Sequence, residues 1–275
     1  MAELIFLKLG GSLITDKDKP YTPRQDALTR LANEIATVLD TNPGLQLVLG
    51  HGSGSFGHAA AEKYKFTSGA SNADAIQREA NKDFWAGVSE IRYQATRLNG
   101  LVMDSLRGAG LNGIPFPPSA SIVARDTKIL SWNTEPIRIA IKNKLLPVIF
   151  GDVVFDEIRT ATILSTERLF AHLTEIFNPN RILLAGREDG VWREYPKRTE
   201  VISRITNRSL EEALAWIRGS ASADVTGGMR SKVIQMSDLV RAKPGLSVQI
   251  FSGMQPGNVS RALLGETIGT MVLDK

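Results

Sequence analysis

The chain has 275 residues, 43% hydrophobic and 23% charged, with a formal net charge of +4; this is an ordinary globular composition, long enough for one large domain or two lobes. It contains no cysteine, which excludes disulfides, thiolate metal sites and cysteine nucleophiles. No apolar run reaches the length of a bilayer span and no block of Lys and Arg marks a nucleic-acid surface, so neither a membrane nor a nucleic acid is an expected partner. The opening MAELIFLKLGG has no basic region and only a short, interrupted apolar run. No signal peptide is therefore expected, and a cytoplasmic location is.

In chain order, Leu4–Leu9 is a short apolar run closed by Gly10-Gly11 and reads as a buried strand. Pro23–Leu39 carries Leu28, Leu31, Ile35 and Leu39 at helical spacing, with Thr22-Pro23 as the helix start. Leu45–Leu49 is a second buried strand. It delivers the chain into Gly52–His58, a stretch of three glycines, two serines, a phenylalanine and a histidine that reads as a loop. Ala73–Arg107 predicts one long helix or two shorter ones, ended by Gly108 and Gly110. Ile114–Pro118 is too rich in proline for a central strand. Ile129–Trp132 is one side of a hairpin, Thr134–Lys142 a short helix, and Leu145–Phe150 a strong strand ending at Gly151-Asp152.

Further on, Ile163–Phe177 reads as a helix, Arg181–Ala185 as a strand and Ser209–Ile217 as a helix. A small-residue stretch then leads to Asp224–Met229 and the helix Ser231–Lys243. Leu246–Phe251 and Thr267–Val272 are late strands. Buried strands alternating with amphipathic helices predict an α/β protein whose parallel or mixed sheet is covered on both faces. The turn-rich Asn178-Pro179-Asn180 is the candidate seam between two lobes.

Ligands of such sheets bind beyond the carboxyl ends of the strands. Gly10-Gly11-Ser12, Gly52–Gly57, Gly151-Asp152 and Ser252-Gly253 all follow predicted strands, and Thr226-Gly227-Gly228 precedes a helix. Several glycine turns at one edge of one sheet predict an anion site built from backbone N–H groups. No GxxxxGK[ST] is present, and the glycines of Gly52–Gly57 miss the GxGxxG spacing, so neither a P-loop nor a dinucleotide fold is supported. His51, ahead of the glycine stretch, and His172, in an apolar-periodic helix, read as structural histidines.

Leu7-Lys8-Leu9-Gly10-Gly11-Ser12 resembles the opening signature of the amino acid kinase family, and Thr226-Gly227-Gly228-Met229 with Lys232 resembles that family's nucleotide-side motif. Within the family, Gly10-Gly11-Ser12-Leu13-Ile14-Thr15-Asp16-Lys17 joined to Gly54-Ser55-Phe56-Gly57-His58 is similar to the isopentenyl phosphate kinases. The resemblance runs from the first strand to the last. It implies a three-layer αβα sandwich with a central, mostly parallel sheet. It also implies a homodimer, ATP with Mg2+, and transfer of a phosphoryl group to isopentenyl phosphate. Residues 1–177 would form the acceptor lobe and 178–275 the ATP lobe. Fosfomycin kinases share a similar loop, so a phosphonate acceptor stays open. A nucleotide sensor of the same fold stays open too, although a sensor needs no transfer lysine.

Phosphoryl transfer needs positioning and positive charge more than a nucleophile. By the resemblance, Lys8 bridges the phosphates being joined, Lys17 stabilises the transferring group, and His58 donates a hydrogen bond to the acceptor phosphate. ATP would meet Lys8, Gly10, Gly11, Ser12, Gly54, Gly186, Asp189, Gly228 and Lys232. The acceptor would meet Ser53, Gly54, Gly57, His58 and the backbone of Thr166, its apolar tail lying against Val88, Ile91, Val153 and Ile163. Glu167 takes the place of the aspartate that orients the lysines. Gly151-Asp152-Val153 matches the family's substrate-side turn. Ala185–Gly190 departs from the usual nucleotide turn except at Asp189-Gly190, and Ser53 replaces a glycine. No carboxylate is assigned to the metal.

Overall fold

The structure is a computed structural model that describes residues 3–66, 82–217 and 228–275. Strands β1 (Leu4–Leu9), β2 (Gln46–His51), β6 (Leu146–Phe150), β9 (Arg181–Gly186) and β11 (Ser247–Ser252) form the centre of an eight-stranded sheet. Its order is β10-β12-β11-β9-β1-β2-β6-β3, with β3 at Gly113–Pro115, β10 at Arg204–Ile205 and β12 at Thr270–Val272. Every pair is parallel except β11 with β12. Proline-bearing β3 sits at the edge, where a missing N–H costs no ladder bond.

The sheet separates two cores because strand side chains alternate between faces. Ile5, Leu7 and Leu9 point into one core with helices α2 (Gln25–Thr41), α4 (Lys82–Gly108) and α9 (Asn258–Leu263). Leu4 and Phe6 point into the other with α5 (Glu135–Lys142), α6 (Thr166–Phe177), α7 (Leu210–Trp216) and α8 (Gly228–Ala242). The result is the expected three-layer αβα sandwich. A four-stranded sheet, order β5-β4-β7-β8, stands beside it: β4 (Ile122–Arg125), β5 (Lys128–Trp132), β7 (Asp152–Asp156) and β8 (Thr160–Leu164). Only the β5 side of it was expected. β9 pairs along β1 from Ile5↔Arg181 to Leu9↔Ala185, so the chain on either side of Asn178-Pro179-Asn180 shares one sheet. No helix among the described residues is long and apolar enough to cross a membrane.

Several boundaries differ from expectation, helix α8 opening at Gly228 rather than Ser231 and β12 at Thr270 rather than Thr267 among them; three others have a local reason. The first long helix starts at Gln25 rather than Pro23, because Pro23 bridges Thr15 in extended backbone and Arg24 N–H donates to the Ile14 carbonyl. Helix α6 starts at Thr166 rather than Ile163. Ile163 and Leu164 are the end of β8, paired with Val153 and Asp152, and Ser165 caps the helix by accepting from Arg168 N–H. The stretch read as a loop over Gly52–His58 becomes helix α3 (Gly54–Lys63) after its second residue. Small residues serve there to bring a helix start against neighbouring backbone. The expected helix over 73–81 and the stretch 224–227 lie outside the described residues.

The glycine turns fall along one edge. Gly10 N–H donates to Ala185 O, Gly52 N–H to Leu9 O, Gly151 N–H to His51 O and Gly253 N–H to Gly186 O, at 2.8, 3.0, 3.0 and 2.8 Å. Each strand therefore runs one residue past its ladder tied to its neighbour. Gly10-Gly11 and Gly52–Gly54 touch backbone to backbone. A Cβ on Gly11 would lie 2.5 Å from Gly54 N, and one on Gly52 2.8 Å from Gly11 N. Gly11→Ala should destabilise the protein by about 1–3 kcal/mol, the cost of overpacking a filled site. Urea unfolding checks this, and an unchanged midpoint and slope would mean that the loops part without penalty.

Candidate active site

At the carboxyl edge, β1 places Lys8 opposite Gly50 of β2. A Cβ on Gly50 would lie 2.5 Å from Thr166 Cγ2 and 2.8 Å from the Phe170 ring, so this glycine lets helix α6 settle directly on the sheet. Thr166 Oγ1–H locks the helix start by donating to His51 O at 2.6 Å. One residue on, Glu167 projects from the first turn and forms an ion pair with Lys8. Lys232, one turn into α8, approaches the same carboxylate at 3.9 Å.

Glu167 is buried. Burial pushes its carboxyl up, but the Lys8 and Lys232 ammonium groups outweigh this and hold it down at about 2, against an ordinary 4.5. The extra methylene of glutamate over aspartate thus does not stop this side chain from reaching both lysines. His58 lies on the second turn of α3, not at the end of a loop. Lys17 is exposed on the segment between Thr15 and Pro23. Ser12 belongs to the short helix α1 (Gly11–Ile14).

A cavity of about 170 Å³ opens beside these groups. Its lining brings together Ser53, Gly57, His58, Ile91 and Ile163, all expected at the acceptor site. Val88 and Val153 stand behind it, packed in one apolar cluster with Ala61 and Ile91. Gly54 begins the same helix as Gly57 and His58, and Thr166 begins the helix that meets it. The lining also contains Ala61, Gly151, Asp152, Ser165 and Arg168, for which the sequence reading assigned no acceptor contact. Asp152 is buried and its carboxyl pushed up by burial, against hydrogen bonds from Ser119 and Val153 N–H and the Arg92 charge. Its place in the turn after β6 was visible; that the residue lines the cavity depends on the β7–β8 hairpin, which was not.

On the other side, Gly186 ends β9 beside Gly10 and Gly253, and Gly228 begins α8 with a left-handed φ of 63°. Asp189 is exposed in the turn after β9. Its neighbour Glu188 accepts from Trp192 Nε1–H at 2.9 Å and from Arg198 at 2.7 Å. Thr226-Gly227 lies outside the described residues. His51 is buried, stacked on Phe150 at 5.3 Å, with its ring nitrogens 3.1 Å from Gly52 O and 3.2 Å from Asn99 Oδ1. Burial pushes its imidazole below the ordinary value. His172 is half-buried against Trp132, and burial lowers it too. Both fit structural roles.

A profile of the amino acid kinase family matches residues 3–252. The isopentenyl phosphate kinase of Methanocaldococcus jannaschii is 35% identical over 274 residues, covering 98% of each chain. That of Methanothermobacter thermautotrophicus is 33% identical over 277 residues, covering 99% of this chain and 100% of its own. A crystal structure of an isopentenyl phosphate kinase superposes with a TM-score of 0.80 at 30% identity, covering 98% of this chain and 100% of the other.

The ion triad has a pH signature. A carboxyl held at about 2 when folded and 4.5 otherwise stabilises the fold fully above pH 4.5 and loses that contribution as pH falls toward 2. The loss is on the order of 3 kcal/mol. Glu167→Gln, which cannot titrate, should lose stability less steeply over that window. Equal slopes in acid unfolding of the two proteins would show that Glu167 is not held by the lysines.

Proposed function

The chain belongs to the amino acid kinase family, and from that premise we propose that it transfers the γ-phosphoryl group of ATP to isopentenyl phosphate, giving isopentenyl diphosphate. The observation that carries the reading is one cavity whose lining joins polar groups to apolar ones. His58 and Ser53 are among the first, and Ala61, Ile91 and Ile163, which share an apolar cluster, are the second. A small phosphate with a short branched apolar tail matches both.

The acceptor already carries its nucleophile, an anionic phosphate oxygen, so the protein needs no base to generate one. That oxygen attacks the γ-phosphorus in line while the bond to the bridging oxygen of ADP breaks. Repulsion between two polyanions is the main obstacle. Lys8, held by Glu167, sits between the two phosphate groups, and Lys17 closes over the transferring group from its exposed loop. Lys232 and the backbone of Gly11, Ser12, Gly54, Gly186 and Gly228 receive the nucleotide phosphates, with Asp189 on the ATP side; Gly10 gives its N–H to Ala185 O and serves by leaving room rather than by donating. Gly54, Gly57, His58 and the Thr166 N–H hold the acceptor phosphate. Val88, Ile91, Val153 and Ile163 confine its tail. In this division residues 178–275 serve the nucleotide and residues 1–177 the acceptor, although Lys8 and the turns at Gly11-Ser12 and Gly54 in the first part also meet the nucleotide.

Magnesium would enter with ATP. Among the described residues no three His, Asp or Glu side chains gather to hold a metal ion, which suits an ion kept by phosphate oxygens and water. We further infer a cytoplasmic homodimer. Val123 and Phe155 face each other across β4 and β7, both exposed, with Trp85 against Phe155, and offer an apolar face to a second copy. Sedimentation equilibrium should then give twice the 30.0 kDa chain mass.

A coupled ADP-release assay with isopentenyl phosphate, dimethylallyl phosphate and fosfomycin tests the reading. Turnover should be greatest with a five-carbon monophosphate; turnover with fosfomycin alone would overturn it. Lys17→Ala should lower kcat by on the order of 10²-fold, as when a preorganised electrostatic donor is lost, with little change in ATP binding. His58→Ala should lower kcat/KM for the acceptor about 10- to 100-fold, the value of one charged hydrogen bond, and His58→Gln should recover part of it. An unchanged acceptor kcat/KM with weakened ATP binding would put His58 in the other half of the site.

A further inference from the structure

The two glycine segments that meet at the site are joined by a side chain that touches neither proposed ligand. Thr15 closes helix α1 and is fully buried. Its hydroxyl donates to Gly11 O at 2.8 Å and accepts from Ser55 N–H at 2.9 Å. The first bond is a common way for a threonine to satisfy its hydroxyl within one turn. The second is different: it reaches across forty residues to the first turn of α3. Room for it exists because residue 54 is glycine, since a Cβ there would stand 2.2 Å from Thr15 Oγ1. The Thr15 carbonyl accepts from Arg24 Nε–H at 3.1 Å, and Pro23 bridges Thr15. These contacts pin the base of the segment on which Lys17 stands two residues later.

We propose that Thr15 is a positioning residue for phosphoryl transfer. Its hydroxyl holds the nucleotide-side turn at Gly11 and the acceptor-side helix start at Ser55 in one register, and its backbone anchors the Lys17 segment to both. The proposal rests on the kinase reading above for its catalytic consequence, not for the contact itself. The first-turn N–H groups of a helix have no partner inside it. Ser55 gives its N–H to Thr15, which fixes the first turn of α3, the turn that carries Ser53 and Gly57 to the cavity. An error of about 1 Å between donor and acceptor phosphates is enough to cost on the order of 10²-fold in rate.

Thr15→Val and Thr15→Ala remove the hydroxyl, one filling its space and the other leaving it open; Thr15→Ser keeps it. Both hydroxyl-free variants should lose kcat by on the order of 10²-fold, with KM for ATP and for isopentenyl phosphate within about threefold of wild type. Thr15→Ser should stay within about threefold in kcat. A general loss of stability would not produce this division between kcat and KM, nor rescue by serine. Amide exchange at Ser55, read in the whole protein without any turnover, should quicken about 10-fold in Thr15→Val and Thr15→Ala, as one hydrogen bond is lost, and stay unchanged in Thr15→Ser. Wild-type exchange at Ser55 in the hydroxyl-free variants, or wild-type kcat in them, overturns the proposal. If the exchange pattern holds but the wild-type protein does not phosphorylate isopentenyl phosphate, the kinase reading fails and the tie between the two segments stands.

Discussion

A buried glutamate between two lysines sets the geometry of this protein. Glu167 alone would be costly so far from water, and Lys8 and Lys232 alone would repel each other. Together they hold one carboxylate and two ammonium groups at the end of the sheet. The triad draws on β1, α6 and α8, elements from both ends of the chain. It forms because Gly50 leaves the surface of β2 clear and α6 can lie against it. Two cations share that one carboxylate, which suits the proposed receipt of two clusters of phosphate charge.

Around that triad the chain substitutes backbone for side chain. Gly10, Gly52, Gly151 and Gly253 each tie to a neighbouring strand just past the ladder, and Gly11 packs on Gly54 with no room for a Cβ on either side of the contact. Backbone N–H groups are fixed dipoles that need no reorganisation when a phosphate arrives. Their positions are set by the sheet itself, so the proposed anion site inherits the stiffness of the core. The acceptor cavity is built differently. Its wall comes from α3, α4 and the β7–β8 hairpin, and its apolar end is a small cluster separate from both main cores. In the proposed reading the nucleotide phosphates lie on the sheet edge, and the acceptor's tail lies on a satellite layer built apart from both main cores.

The sequence by itself determined the layered α/β class, the central strands and the glycine turns along their carboxyl edge. Runs such as Leu4–Leu9 and Arg181–Ala185 are apolar on both faces, which only a covered parallel sheet requires, and glycines after each of them are read locally. It also singled out the candidate chemistry-bearing residues, Lys8, Lys17, His58 and Lys232, through a motif resemblance that runs along the whole chain. Tertiary structure alone decided what depends on distant backbone. Gly52–His58 reads as a loop because small residues break helices by propensity, yet Gly54 begins one, since the close approach of Gly11 demands a residue without a side chain. Ile163 reads as helical because its spacing fits, yet pairing with Val153 takes it into a strand. That Glu167 meets both lysines, that Asp152 lines the cavity, and that the hydroxyl of Thr15 joins two segments forty residues apart are facts of three-dimensional proximity. Local patterns record which face of an element is apolar; they carry no distance between elements, and a polar contact is made or missed on that distance.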